Sequence, residues 1–136
     1  MHSIIHKAFI QAIQDTLGEA PKQCGSQIYE GYLSSIDLVL ENGQKEVVLF
    51  VSSKSFLNTL AENLLGEVNP DDLTLKDLSQ ELANLTIGLS KVLAIHEGLS
   101  FNIGTPKVYG FGKIKEDKTT GLNFQLGQGN CSVFVE

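Results

Sequence analysis

The 136-residue sequence has no tryptophan, one methionine, three prolines and two cysteines. Cys24 and Cys131 lie far apart and form no CxxC pattern. Neither a thiol-ligated metal nor a structural disulfide is expected, and two reduced thiols are. No stretch approaches 18 uninterrupted apolar residues, which excludes a membrane-spanning helix. The opening Met1-His2-Ser3-Ile4-Ile5-His6-Lys7 has no apolar core of signal-peptide length, so a cytoplasmic location is expected. Positive charge is scarce as well. Ten Lys and Arg face sixteen Asp and Glu, for a net charge of −6, and the basic residues do not cluster. Nucleic acid and anionic membranes are accordingly poor partners. GxSxG, HExxH and P-loop motifs are all missing. What remains is a globular composition, 42% apolar and 19% charged. The length fits a single domain over residues 1–136 that needs no disulfide or metal to hold a core.

Periodicity predicts a helix over residues 3–17, with Ile5, Phe9, Ala12, Ile13 and Thr16 on one face and Gly18 ending it. Residues 18–26 read as a loop. Alternation over 28–40 suits a half-buried strand, and Asn42-Gly43 marks a hairpin turn before a central return strand over 46–51. Ser52 or Ser53 can cap a second helix that buries Phe56, Leu57, Leu60, Leu64 and Leu65 and closes at Gly66. After the Asn69-Pro70-Asp71-Asp72 breaker, Leu75, Leu78, Leu82, Leu85, Leu89 and Val92 form one apolar stripe on a long helix over 74–97. The rest is β in character: a short strand over 100–103, strands over 108–115 and 122–126 around a Lys118-Thr119-Thr120-Gly121 turn, and a last strand over 131–135. Each half faintly echoes a helix followed by a hairpin.

The long helix carries a second stripe. Thr74, Asp77, Glu81, Asn84, Gly88 and Lys91 each precede a stripe position by one residue, so they share a face about 100° from the apolar seam. Glu81 and Asn84 are i and i+3, neighbours about 4.5 Å apart along the axis. Gly88, one turn on, leaves that side bare at a cost of about 1 kcal/mol against Ala. An acid, an amide and a bare spot beside an apolar seam can form a docking face. The same residues also fit a solvated helix face, with Gly88 admitting a packed neighbour. Asp77 fits a capping box begun by Thr74, and that cap is its preferred reading. His2 and His6 are spaced to share a metal, but no third ligand is in view, so no metal site is expected. His96 sits where a cation complements the helix C-terminus. Gly110-Phe111-Gly112 and Gly127-Gln128-Gly129 lack the following helix that a nucleotide loop needs. The aromatic residues are expected mostly in the core.

Asp77-x3-Glu81-x2-Asn84, followed by Gly88 and Lys91, resembles the signature of the CheC/CheX/FliY phosphatases of bacterial chemotaxis. Leu64-Leu65-Gly66 before the helix resembles the family's leucine-glycine helix end. Asn102-Ile103-Gly104-Thr105-Pro106-Lys107-Val108-Tyr109-Gly110 resembles the strand, proline, strand and glycine segment after it. The resemblance covers about residues 5 to 115. The N-terminal helix offers Gln11, Gln14 and Asp15 but no Glu-x2-Asn, a departure from two-site members that looks most like CheX.

The resemblance implies an α/β (α+β), CheC-like fold with long helices packed on a mostly antiparallel sheet. It further implies hydrolysis of the aspartyl phosphate of a CheY-like response regulator. Asn84 would orient the attacking water and Glu81 would dock a partner lysine, with Asp77, Gly88 and Lys91 as further docking residues. The chain itself would bind no cofactor; Mg²⁺ is expected in the phosphorylated partner. A homodimer is implied too. The alternative is a non-catalytic response-regulator-binding or flagellar-switch-like interaction module.

Overall fold

The computed structural model describes residues 1–116 and 120–136. Its elements are α1 (His2–Leu17), β1 (Lys22–Gln23), β2 (Glu30–Leu40), β3 (Lys45–Ser52), α2 (Lys54–Leu65), α3 (Asp72–His96), β4 (Phe101–Lys113), β5 (Leu122–Leu126) and β6 (Gly129–Val135). The strands form one sheet in the order β1-β5-β6-β3-β2-β4. Every neighbouring pair is antiparallel. The architecture is α+β, as expected, with β3 central. Lys118 and Thr119 of the expected turn lie outside the described residues.

Alternate residues of the central strands, including Ile36 and Leu38 of β2 and Val48 and Phe50 of β3, join the apolar faces of all three helices in one core. The helices therefore share one face of the sheet. Phe9, Phe50, Phe56 and Phe124 are fully buried, and the Phe9 and Phe124 rings stack with centroids 4.2 Å apart. Tyr109 and Phe111 are exceptions to the expected core placement, since both are more than half exposed on β4.

Local chemistry accounts for the element ends. Gly18 and Gly66 adopt the left-handed conformation that stops α1 and α2. In the β2–β3 hairpin only Gly43 takes positive φ (84°), while Asn42 Oδ1 accepts from the Gln44 amide at 2.8 Å. The forward bond from Asn42 gives a three-residue loop with Gly43 at its left-handed position, in place of the two-residue turn that needs positive φ at both positions. Residues 101–113 form one continuous strand where two were expected on either side of Thr105-Pro106. β4 is a sheet edge and needs ladder bonds on one side only, so Pro106 is tolerated there. Two register shifts along β2 take up the irregularity. β1, inside the expected loop, is only two residues long.

α3 departs most from its sequence pattern. Leu75, Leu78 and Leu82 are buried, but Leu85 is 39% and Val92 50% exposed. The leucine stripe repeats every 3.5 residues, and on a helix of 3.6 residues per turn it drifts about 20° per heptad. It therefore starts in the core and rotates out. Small residues take over the sheet-facing side: Ser79, Ala83, Thr86 and Ser90 are all buried. Thr86 and Ser90 hydroxyls donate to the Leu82 and Thr86 carbonyls at 2.8 and 2.7 Å. Ser34 Oγ donates to the Ser79 carbonyl at 3.1 Å, and Tyr32 Oη donates to Asp72 Oδ1 at 2.8 Å. Burial, reinforced by the Asp72 carboxylate, pushes the Tyr32 hydroxyl up to about 12.

Ser53 joins α2 to β6. Its Oγ accepts from the Phe56 amide at 3.2 Å and from the Asn130 amide at 3.0 Å. A Cβ on Gly129 would overlap the Phe56 backbone, so only glycine allows this approach. Replacing Ser53 with Ala orphans both amides. Ser53→Ala is expected to lower unfolding free energy by about 1–2 kcal/mol in urea titrations.

Candidate functional site

The second stripe of α3 is where sequence and structure agree best. Asp77, Glu81, Asn84 and Gly88 are all exposed, while Thr74 and Lys91 are half-buried. Tethering at Asp72 and Ser79, together with the small residues facing the sheet, fixes which way this stripe points. Glu81 lies where the three helices meet, beside Ala12 of α1, Leu60 and Leu64 of α2 and Leu82 of α3.

Two shallow grooves flank that junction. One, of about 430 Å³, runs between the end of α2 and the first half of α3 and is lined by Leu64, Leu65, Glu67, Thr74, Asp77, Leu78 and Glu81. The other, of about 400 Å³, runs between α1 and α3 and is lined by Ala12, Asp15, Thr16, Asn84, Leu85, Gly88, Leu89 and Val92. The structure thus brings Glu81 together with Asp77, and Asn84 together with Gly88. Lys91 lines neither groove. The side chains of Asp77, Glu81 and Asn84 make no hydrogen bond or ion pair to any other described residue. The Glu81 carboxyl group and the Asn84 amide are consequently both open to a partner. An amide is no base at neutral pH, but its oxygen and NH₂ can orient a water molecule.

Several expectations need correction. Asp77 is not a cap. The N-cap of α3 is Asp71, whose carboxylate accepts from the Thr74 amide at 2.8 Å and is held below its usual range mainly by that bond. The helix starts two residues before the expected residue 74, which leaves Asp77 beyond the first turn and free. Leu64 and Leu65 are 43% and 52% exposed; the last turn of α2 lines a groove. The spacing of these leucines marked an apolar face but not whether anything covers it, and Glu67 carried no signal at all.

The remaining candidates are accounted for within the fold. His6 Nε2 contacts Gln23 Oε1 at 3.2 Å and its ring lies 5.4 Å from that of Phe124. No group of three or more metal-ligating side chains occurs among the described residues. His96 is exposed in the last turn of α3. Gly110-Phe111-Gly112 lies within β4, and Gly127-Gln128-Gly129 joins β5 to β6; neither opens a helix. Cys131 is buried with its thiol 3.4 Å from Ser52 Oγ, and burial pushes it up to about 12. Both cysteines are free. No helix among the described residues is long and apolar enough to cross a membrane.

No protein-family model matches the chain, and no curated protein sequence does. Solved structures do match. CheX from Vibrio vulnificus superposes with a TM-score of 0.78 at 18% identity, covering 98% of this chain and 95% of that one. The chain has the CheX fold. CheX in the CheX–CheY–BeF3–Mg²⁺ complex from Borrelia burgdorferi gives 0.71 at 15% identity, covering 98% and 96%. FliY from Thermotoga maritima gives 0.62 at 14% identity, covering 98% and 86%. The CheX fold is thus present over nearly the whole chain.

Within this CheX fold Gly88 has no internal explanation. It lies inside α3, its φ is not positive, and a Cβ there would meet nothing within 4 Å. Neither backbone conformation nor packing calls for glycine. Gly88→Ala should therefore stabilise the isolated chain by about 0.5–1 kcal/mol, seen as a higher urea midpoint at unchanged slope.

Proposed function

We propose that the chain is a CheX-like phosphatase that hydrolyses the aspartyl phosphate of a cytoplasmic CheY-like response regulator. The observation that carries this reading is the Glu81–Asn84 pair, exposed and unpartnered on one face of α3 in a CheX fold. A solvated helix face can also carry an acid and an amide; the helix-interior glycine beside them, which the fold does not require, favours a docking face.

An aspartyl phosphate is a reactive acyl phosphate, so little acid–base chemistry is asked of the enzyme. Water attacks phosphorus, the bond from phosphorus to the carboxylate oxygen breaks, and the carboxylate and inorganic phosphate are released. What limits the rate is holding water in line with that bond. Asn84 performs this task, its oxygen accepting from the water while its NH₂ faces the phosphoryl oxygens. Glu81 fixes the register by pairing with a lysine of the response regulator. A Mg²⁺ ion, held by the response regulator and by no residue of this chain, would supply neutralisation of the phosphoryl charge. Gly88 gives the partner's backbone room beside Asn84. Positioning of this kind is worth about 2–4 kcal/mol, or about 10²–10³ in rate.

Phosphate release from a phosphorylated response regulator tests the reading. Wild type is expected to accelerate release over autodephosphorylation. Asn84→Ala should abolish most of the acceleration while still binding, and Glu81→Ala should bind more weakly. Binding without acceleration by folded wild type would instead identify an interaction module.

The chain is further proposed to form a homodimer through β4. This strand is a 13-residue edge with Ile103, Tyr109 and Phe111 exposed along it. Long unpaired edges of this kind invite another strand. Light scattering should give twice the chain mass. Tyr109→Lys with Phe111→Lys should return the monomer, and a monomeric wild type at about 100 μM would remove the dimer reading.

A further inference from the structure

The α2–α3 groove has a chemical character that the phosphatase reading leaves unused. Its floor is apolar, made by Leu64, Leu65 and Leu78, and its rim is acidic, made by Glu67, Asp77 and Glu81. No Lys, Arg or His lines it, and none of the three carboxylates pairs with any described residue. Asp77 and Glu81 are i and i+4 on one helix, where like charges repel. A groove lined with one sign of charge concentrates that potential. An aliphatic floor below a carboxylate rim matches a long cationic side chain, whose methylenes cover apolar surface while its head stays at the polar edge. Glu81 belongs both to this rim and to the junction beside Asn84, so whatever occupies the groove is continuous with whatever docks on the proposed catalytic face.

We infer that this groove is the specificity subsite of the interface: it seats a second basic side chain of the response regulator, apart from the lysine taken by Glu81. The stem lies on Leu64, Leu65 and Leu78, and the cation faces Asp77 and Glu67. The inference rests on the phosphatase reading and deepens it. Response regulators that carry a Lys or Arg there are selected over those that do not.

The test titrates a BeF3−/Mg²⁺-activated response regulator onto wild type, Asp77→Lys, Glu67→Lys and Leu65→Ser, at about 50 and about 300 mM salt. Each charge reversal is expected to weaken binding about tenfold at low salt and to flatten the salt dependence. Leu65→Ser should weaken binding by a similar factor at both salts. In turnover assays KM should rise far more than kcat falls, and a Lys→Glu or Arg→Glu change on the partner's docking face should restore binding to Asp77→Lys. If a reversal lowers the melting temperature, Asp77→Asn and Glu67→Gln replace it, with about threefold weakening expected. Wild-type affinity and salt slope in both acidic-site variants would overturn the inference. So would loss of kcat at constant KM, which makes Asp77 part of the chemistry, or a change of chain mass in solution, which gives the groove to a second copy. Wild type that neither binds nor dephosphorylates the regulator removes the phosphatase reading as well. Retained turnover with indifferent Asp77→Lys and Glu67→Lys removes this inference alone.

Discussion

Everything at the candidate site depends on how closely α3 lies against β2. The buried side of α3 includes the small side chains Ser79, Ala83, Thr86 and Ser90, and the Thr86 and Ser90 hydroxyls are absorbed by carbonyls of the helix itself. It is pinned twice, by Ser34 to the Ser79 carbonyl and by Tyr32 to Asp72. Larger residues there would lift the helix, and a rotation by one residue would turn Glu81 and Asn84 toward α1 or the core. The acid and amide are therefore held by a packing constraint on the opposite side of the helix, from residues that are themselves buried.

The same constraint explains what the sequence disclosed and what it hid. Helix ends were legible where a local device ends them, as at Gly18 and Gly66, because a left-handed residue acts within one turn. The polar stripe from Asp77 to Gly88 was legible because helical geometry alone puts it on one face. The exposure of Leu85 and Val92 was not, since it depends on the small residues that draw α3 down and on the slow drift of a 3.5-residue repeat. Leu64 and Leu65 misled for a related reason: apolar spacing marks a face without saying what covers it. The Asp77 cap failed because Asp71 competed for the same role, and the choice between them rests on how the chain enters the helix after Pro70. β4 ran through Thr105-Pro106 because it became an edge, a property of the whole sheet.

Fold and function part company in an instructive way. Identities of 14–18% to the matched CheX and FliY structures preserve the architecture nearly end to end. An architecture of this kind supplies a rigid helix face and says little about what that face does. The functional argument rests instead on three local facts: a carboxylate without a partner, an amide without a partner, and a helix-interior glycine with open space around it. Each is a local cost or indifference for the isolated chain, and the proposed function is what gives each a purpose against a second molecule.

The strand order has a kinetic corollary. β6, the last of the described strands in chain order, is inserted between β5 and β3 in the interior of the sheet, and its Cys131, Val133 and Val135 belong to the core. During synthesis from the N-terminus, α1 and the β2–β3 hairpin emerge early with one flank of β3 unfilled. That flank stays open until β6 has been made, about 80 residues after β3. Pairings of such long sequence separation slow folding, because loop closure precedes the gain in contacts. β6 thus acts as a keystone: it alone ties β5 and β1 to the β2–β3 hairpin in the order of the sheet.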